Sequence, residues 1–209
     1  MTTAPAPVRR SGTKGVARPE REAQILEVAG RLFGERGFAG TSVADVAEQA
    51  GISKPLIYNY FGSKEGLVER CLRDATDLLV AEIERSAQLG HVGLARALVT
   101  LEGVFSVLES RPWAWRITRD PTVPRTPGTE AVLASYDERL AALADEGVGE
   151  LMALAGDDDP LDVSAMIAVW TSVFDALVTW WAEHPGVGSA EMGERCARLF
   201  AAVLGPVAR

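Results

Sequence analysis

Apolar residues recur along this chain at intervals of three and four, without the alternation of strands, so the pattern predicts helices throughout. Ile25, Leu26, Ala29, Leu32 and Phe33 form the first stripe. Pro19 suits its first position, Glu20 and Glu22 suit the positive end of its dipole, and Gly37 closes it. Ser42 opens a second helix with Asp45 three positions on, the spacing of a capping box, and Val43, Val46, Ala47 and Ala50 line one face. Gly51 breaks it with a tight turn. Ser53 is placed to cap a third helix, with Leu56, Ile57 and Tyr60 turned inward. Ser63 opens a long fourth helix through Leu67, Cys71, Leu78 and Ile83 toward Gln88.

Beyond Gly90 the stripes continue. Leu94, Leu98, Leu101, Phe105 and Leu108 predict a helix over about 91–110, and Pro112 opens a short one carrying Trp113 and Trp115. Three prolines and a glycine make 120–128 a loop, followed by a helix to about Ala155. Asp159 and Pro160 form a cap and first-turn pair for an apolar helix ending at His184 and Pro185. A last helix runs from about Ser189 to Leu204. The expectation is an all-α chain of about nine helices: an N-terminal three-helix helix-turn-helix unit and a larger helical domain behind it.

Residues 165–182 are apolar almost throughout, which raises the question of a membrane. Asp175 lies inside the run, and a mid-bilayer carboxylate costs roughly 2.5–3.5 kcal/mol. The flanks carry Asp157, Asp158, Asp159, Asp162 and Glu183 with no lysine or arginine anchor. A helix apolar all round predicts burial in a soluble, cytoplasmic protein, with no membrane partner. Cys71 and Cys196 are far apart and predict two reduced, buried thiols, and no His/Cys metal spacing is present. The first residues are basic but lack an apolar core, so they are not read as a signal peptide.

Charge changes the picture. The chain carries a formal −8, which on average disfavours nucleic acid. Yet residues 1–73 hold 11 Lys+Arg against 8 Asp+Glu, a net +3, and residues 74–209 hold 10 against 21, a net −11. That asymmetry predicts two modules with different partners. We divide the chain into a disordered basic tail at 1–18, a helix-turn-helix domain at 19–65 and a ligand-binding and dimerisation domain at 66–209. Arg9, Arg10, Lys14 and Arg18 of the tail are candidates for a minor-groove arm, against a solvated tail with only diffuse electrostatic effect.

In a helix-turn-helix the second helix enters the DNA major groove with its first residues on the base edges. Lys54 is a cation at that exposed start, Pro55 and Leu56 suit thymine methyls, and Tyr58, Asn59 and Tyr60 offer donors for phosphate. Lys64 adds a cation at the start of the fourth helix. The longer string of Phe33, Gly37, Phe38, Thr41, Ser42, Val43, Val46, Ala47, Ala50, Gly51, Ile52, Ser53, Tyr58, Phe61, Lys64 and Leu67 resembles the N-terminal domain of the TetR family of transcriptional regulators, over about residues 20–68.

The resemblance implies a homodimer on a palindromic double-stranded DNA operator, a repressor released by a small apolar or aromatic effector. It implies phosphate contacts from Ser42, Tyr58, Tyr60 and Lys64, and base reading by Lys54, Pro55 and Leu56, with Ser53 to Tyr58 bounding the readout. Ala44 stands where several family members carry arginine, so that base contact is absent or reduced to a methyl contact. In the acidic domain the last two helices are expected to pair across a dimer through Leu199, Phe200 and Val203. A pocket is expected between the fourth and middle helices, lined by Phe105, Trp113, Trp115, Met166, Trp170, Phe174, Asp175 and Trp181. Trp113 and Trp115, two apart on a helix, cannot both face it. Asp175 would meet a cationic ligand group or an arginine such as Arg116 or Arg139. No GxSxG, HExxH, P-loop or dinucleotide fingerprint is present, so no enzyme and no cofactor are expected. The alternative is an adaptor or helical enzyme retaining an inactive helix-turn-helix.

Overall fold

In a computed structural model of the chain, residues 17–204 are described; the tail residues Arg9, Arg10 and Lys14 lie outside them. Nine helices and no strands occur among the described residues: α1 (Arg18–Arg36), α2 (Val43–Ala50), α3 (Lys54–Phe61), α4 (Lys64–Ala87), α5 (Gly93–Ser110), α6 (Trp113–Ile117), α7 (Pro127–Leu154), α8 (Pro160–Ala182) and α9 (Ser189–Leu204).

The caps anticipated from sequence explain most boundaries. Ser42 and Asp45 form a reciprocal capping box, with the Asp45 N–H donating to Ser42 Oγ and the Ser42 N–H to Asp45 Oδ2 at 2.8 Å. Gly51 takes the left-handed conformation at φ 66° that ends α2. Ser63 accepts from the Gly66 N–H, and Asp159 from Leu161 N–H. Ser53 occupies the cap position of α3, but its side chain makes no capping bond, so α3 begins on Lys54-Pro55 geometry alone.

α1, α2 and α3 bury Ile25, Leu32, Val46 and Ile57 together with Leu67 of α4. α4 runs on from this unit into the second one, where it packs against α5 and α7. A second link joins the units, since α6 lies against α1. Trp113 sits over Gly30 and Gly34, where a Cβ at Gly34 would come within 2.6 Å of the Trp113 Cβ. Its Nε1 donates to Glu27 at 3.2 Å.

The expectation that the apolar helix is buried fails. Only Val178 and Trp181 of α8 are buried, and Leu161, Val169 and Trp180 are exposed. α8 is the one described helix long and apolar enough to cross a membrane, with mean hydropathy 1.6. The reason for its exposure is its packing: within the chain it lies chiefly against α7. Its inner side faces a cavity and its outer side has no cover among the described residues.

Candidate nucleic-acid interface and effector cavity

The helix-turn-helix presents one side chain set outward and holds the other inward. Ile57 is fully buried and anchors α3, while Leu56, Tyr60 and Phe61 are half-buried. Ser53, Lys54, Pro55, Tyr58 and Asn59 are exposed, as are Ser42 and Ala44 on the neighbouring start of α2. Among the described residues the Lys54 ammonium lies 5.8 Å from the centre of the Tyr58 ring and makes no hydrogen bond or ion pair, so the start of α3 presents an exposed cation. Arg18, placed at the first turn of α1, lies over the Tyr60 ring at 5.2 Å.

Two of the expected phosphate groups are already occupied. The Ser42 hydroxyl donates to Asp45 at 2.6 Å, and these bonds hold the Asp45 carboxyl below the ordinary aspartate range. Lys64 is half-buried; its Nζ donates to the Phe38 carbonyl at 2.6 Å and lies 3.8 Å from the centre of the Phe38 ring. A phosphate would have to share either group with the protein.

The acidic domain encloses a cavity of about 860 Å³ between α4, α5, α7, α8 and α9. Trp115, Met166, Trp170, Phe174 and Asp175 line it. Three residues expected there do not. Phe105 is fully buried in the core against Trp181, Trp113 is spent on α1, and Trp181 donates its Nε1 to the Val187 carbonyl at 2.7 Å. Helix phase is the cause: Trp113 and Trp115 do point apart, and only Trp115 reaches the cavity. Of the three residues expected at a dimer contact, Phe200 packs inside the chain against Trp170, at 5.8 Å between rings, and is largely buried. Leu199 and Val203 are exposed at the same end of α9, and all three stand on the cavity lining.

Asp175 meets neither Arg116 nor Arg139. Arg116 bonds the Ala182 carbonyl, and Arg139 pairs with Asp77 and Glu84. The partner is Arg119, whose Nε and Nη2 both reach Asp175 Oδ1. The Arg119 guanidinium carbon also lies over the Trp115 ring, 3.1 Å from its centre. Tyr136 lines the same part of the cavity, and burial pushes its phenol up. Arg119, Tyr136 and the α7 wall were not anticipated from sequence. The spacing of Trp115 and Arg119, four apart across the end of α6, was the available signal.

Arg119 has a chain neighbour with a different role. Asp120 accepts the Phe38 N–H at 2.5 Å, and Thr122 Oγ1 accepts the Ala39 N–H at 3.1 Å. The loop after α6 thus grips the turn between α1 and α2. A smaller cleft of about 340 Å³ lies there, and Trp115 and Arg119 stand on both its wall and that of the main cavity.

Residues 25–71 match the family model described as Bacterial regulatory proteins, tetR family. The HTH-type transcriptional repressor Rv3405c of Mycobacterium tuberculosis is 36% identical over 151 residues, which cover 68% of this chain and 73% of that protein. The HTH-type transcriptional activator FasR of Mycolicibacterium smegmatis is 29% identical over 113 residues, 54% of this chain, and the match spans only about half (51%) of that relative's length. Among solved structures, the ketosteroid transcriptional regulator KstR2 of Mycobacterium tuberculosis superposes with a TM-score of 0.72 at 24% identity, covering 91% of this chain and 96% of that one.

Proposed function

This chain belongs to the tetR family of bacterial regulatory proteins, and from that premise we propose that it is a cytoplasmic homodimeric repressor whose grip on a palindromic operator is released by a small apolar or aromatic effector. The observation that carries the reading is the pairing of an exposed α3 edge, Lys54, Pro55, Tyr58 and Asn59, with a large apolar cavity reached by the same long helix. The division into a tail at 1–18, a DNA-binding domain at 19–65 and a sensing and dimerisation domain at 66–209 belongs to this proposal.

α4 has 24 residues and is about 36 Å long. It starts beside α3 and carries Leu79 and Ile83 to the cavity wall. An effector that prefers one tilt of α4 would alter the separation of two reading heads, which must span about 34–36 Å to sit in successive major grooves. In the proposed dimer the exposed side of α8, with Leu199 and Val203 of α9, meets its copy in a second subunit.

An anisotropy titration with DNA from upstream of its own gene, at stated salt, tests the reading. We expect binding at least about a thousandfold tighter than to bulk DNA. Equal affinity for both would overturn it.

A further inference from the structure

The lining of the main cavity is apolar except at a few points, and the charges among them are unequal in how they are held. Arg119 is fixed three ways: its guanidinium carbon lies over the Trp115 ring, its Nη1 donates to Thr118 at 2.9 Å, and its chain neighbour Asp120 is bonded to the α1–α2 turn. Asp175 makes side-chain bonds to Arg119 alone among the described residues, and its helix α8 packs chiefly on α7. Among the described residues Asp175 is also the only carboxylate on the lining, which carries two guanidiniums, Arg96 and Arg119. Arg96 is satisfied by Glu146 and Glu150. The cation at Arg119 is therefore preorganised, and the carboxylate opposite it is the exchangeable member. Arginine's planar fork suits a carboxylate, and Asp175 itself marks the seat.

We propose that Arg119 is the receptor for an anionic group on the effector: an apolar molecule bearing one carboxylate-class head displaces Asp175 from Arg119, and the exchange is passed through Asp120 to the α1–α2 turn. This rests on the reading of the cavity as an effector site. The apolar body lies against Leu140, Leu143, Met166, Trp170 and Phe174. Moving Asp175 away frees α8, and any shift of Arg119 along the loop pulls on the bonds to Phe38 and Ala39 that precede Ser42.

The test uses the full chain and three probes of equal length, dodecanoate and dodecylammonium below their micelle concentrations and dodecanol below its solubility limit, followed by calorimetry and tryptophan fluorescence. Dodecanoate is expected to bind about tenfold or more tighter than the other two, the scale of a charge-assisted hydrogen bond. Arg119→Gln should abolish that preference while dodecanol still binds, which also reports that the variant is folded. Asp175→Asn should tighten dodecanoate binding, since the internal competitor is gone. Amide exchange at Phe38 and Ala39 should quicken when dodecanoate is added to the wild-type chain. Equal binding of dodecanol and dodecanoate, or tightest binding of dodecylammonium, would overturn the anion receptor while leaving the apolar cavity reading intact. Binding of no probe would remove both. Unchanged exchange at Phe38 and Ala39 on saturation would overturn the relay.

Discussion

Lys64 and Phe38 form a closed pair: the ammonium donates to the Phe38 carbonyl at 2.6 Å and rests 3.8 Å from the centre of the same residue's ring. Lys64 thereby holds the α1–α2 turn from one side while Asp120 holds it from the other. Lys64→Ala should lower stability by about 1–2 kcal/mol, as loss of a half-buried charged hydrogen bond does. It should weaken DNA binding alike for all sequences and leave the salt slope nearly unchanged. A slope reduced by about one counterion would show that Lys64 serves phosphate instead.

Lys54 makes the opposite case. Its ammonium touches no acceptor among the described residues, so Lys54→Ala should leave stability within about 0.5 kcal/mol. Discrimination between operator and mismatched DNA should fall by about 1–3 kcal/mol. Paired anisotropy titrations on the two DNAs measure this.

Asp120 gives the turn a pH dependence. Burial alone would push its carboxyl up, but the Phe38 N–H and the two Thr122 donors outweigh it and hold the group below the ordinary aspartate range. A carboxyl depressed on folding contributes its stability fully above the unfolded pKa and loses it as pH falls through the folded one. Protection of the Phe38 and Ala39 amides, taken relative to the intrinsic exchange rate at each pH, should therefore fall once pH drops below the ordinary aspartate range. Asp120→Asn should abolish that dependence. A wild-type profile identical to that of the variant would rule the linkage out.

Gly34 is occupied space. A Cβ there would approach the Trp113 Cβ to 2.6 Å and the Trp113 backbone Cα to 2.8 Å. Gly34→Ala should destabilise by about 1–3 kcal/mol through overpacking, despite the better helix propensity of alanine. Denaturant midpoints measure it, and a stabilised variant would mean α6 moves away from α1 without cost.

The dimer reading turns on Val203, which is 81% exposed within the chain. Val203→Asp should convert the proposed dimer to a monomer at micromolar concentration in sedimentation, with helical content unchanged. A wild-type monomer under those conditions would defeat the reading.

Both thiols should be inert. Cys71 is fully buried and burial pushes its thiol far up; Cys196 is pushed up to about 11 by burial, with Glu102 adding to the effect. At pH 8 a thiol reagent should label neither until the chain is unfolded. Rapid labelling of the native protein would contradict the packing of α4 or α9.

Helices, most caps and the exposed side of α3 were legible in the sequence because their causes are local. Ser42 with Asp45, Gly51 and Asp159-Pro160 act within one turn of chain, and the exposure of Lys54 and Tyr58 follows from the buried phase of Ile57 on the same short helix. The cavity was legible only in part. Trp115, Met166, Trp170 and Phe174 are on it; Phe105, Trp113 and Trp181 look the same in sequence and lie in the core.

By itself the sequence determined an all-helical chain, its element order and the family it belongs to, since periodicity, capping and turn chemistry depend on neighbours a few residues apart. Only the tertiary structure decided that Arg119 and not Arg116 or Arg139 meets Asp175, that Asp120 holds Phe38, and that α8 lies mostly exposed. Those outcomes depend on which faces of distant helices meet, and a shift of one helical position, about 100° of rotation, exchanges a core residue for a cavity or surface one.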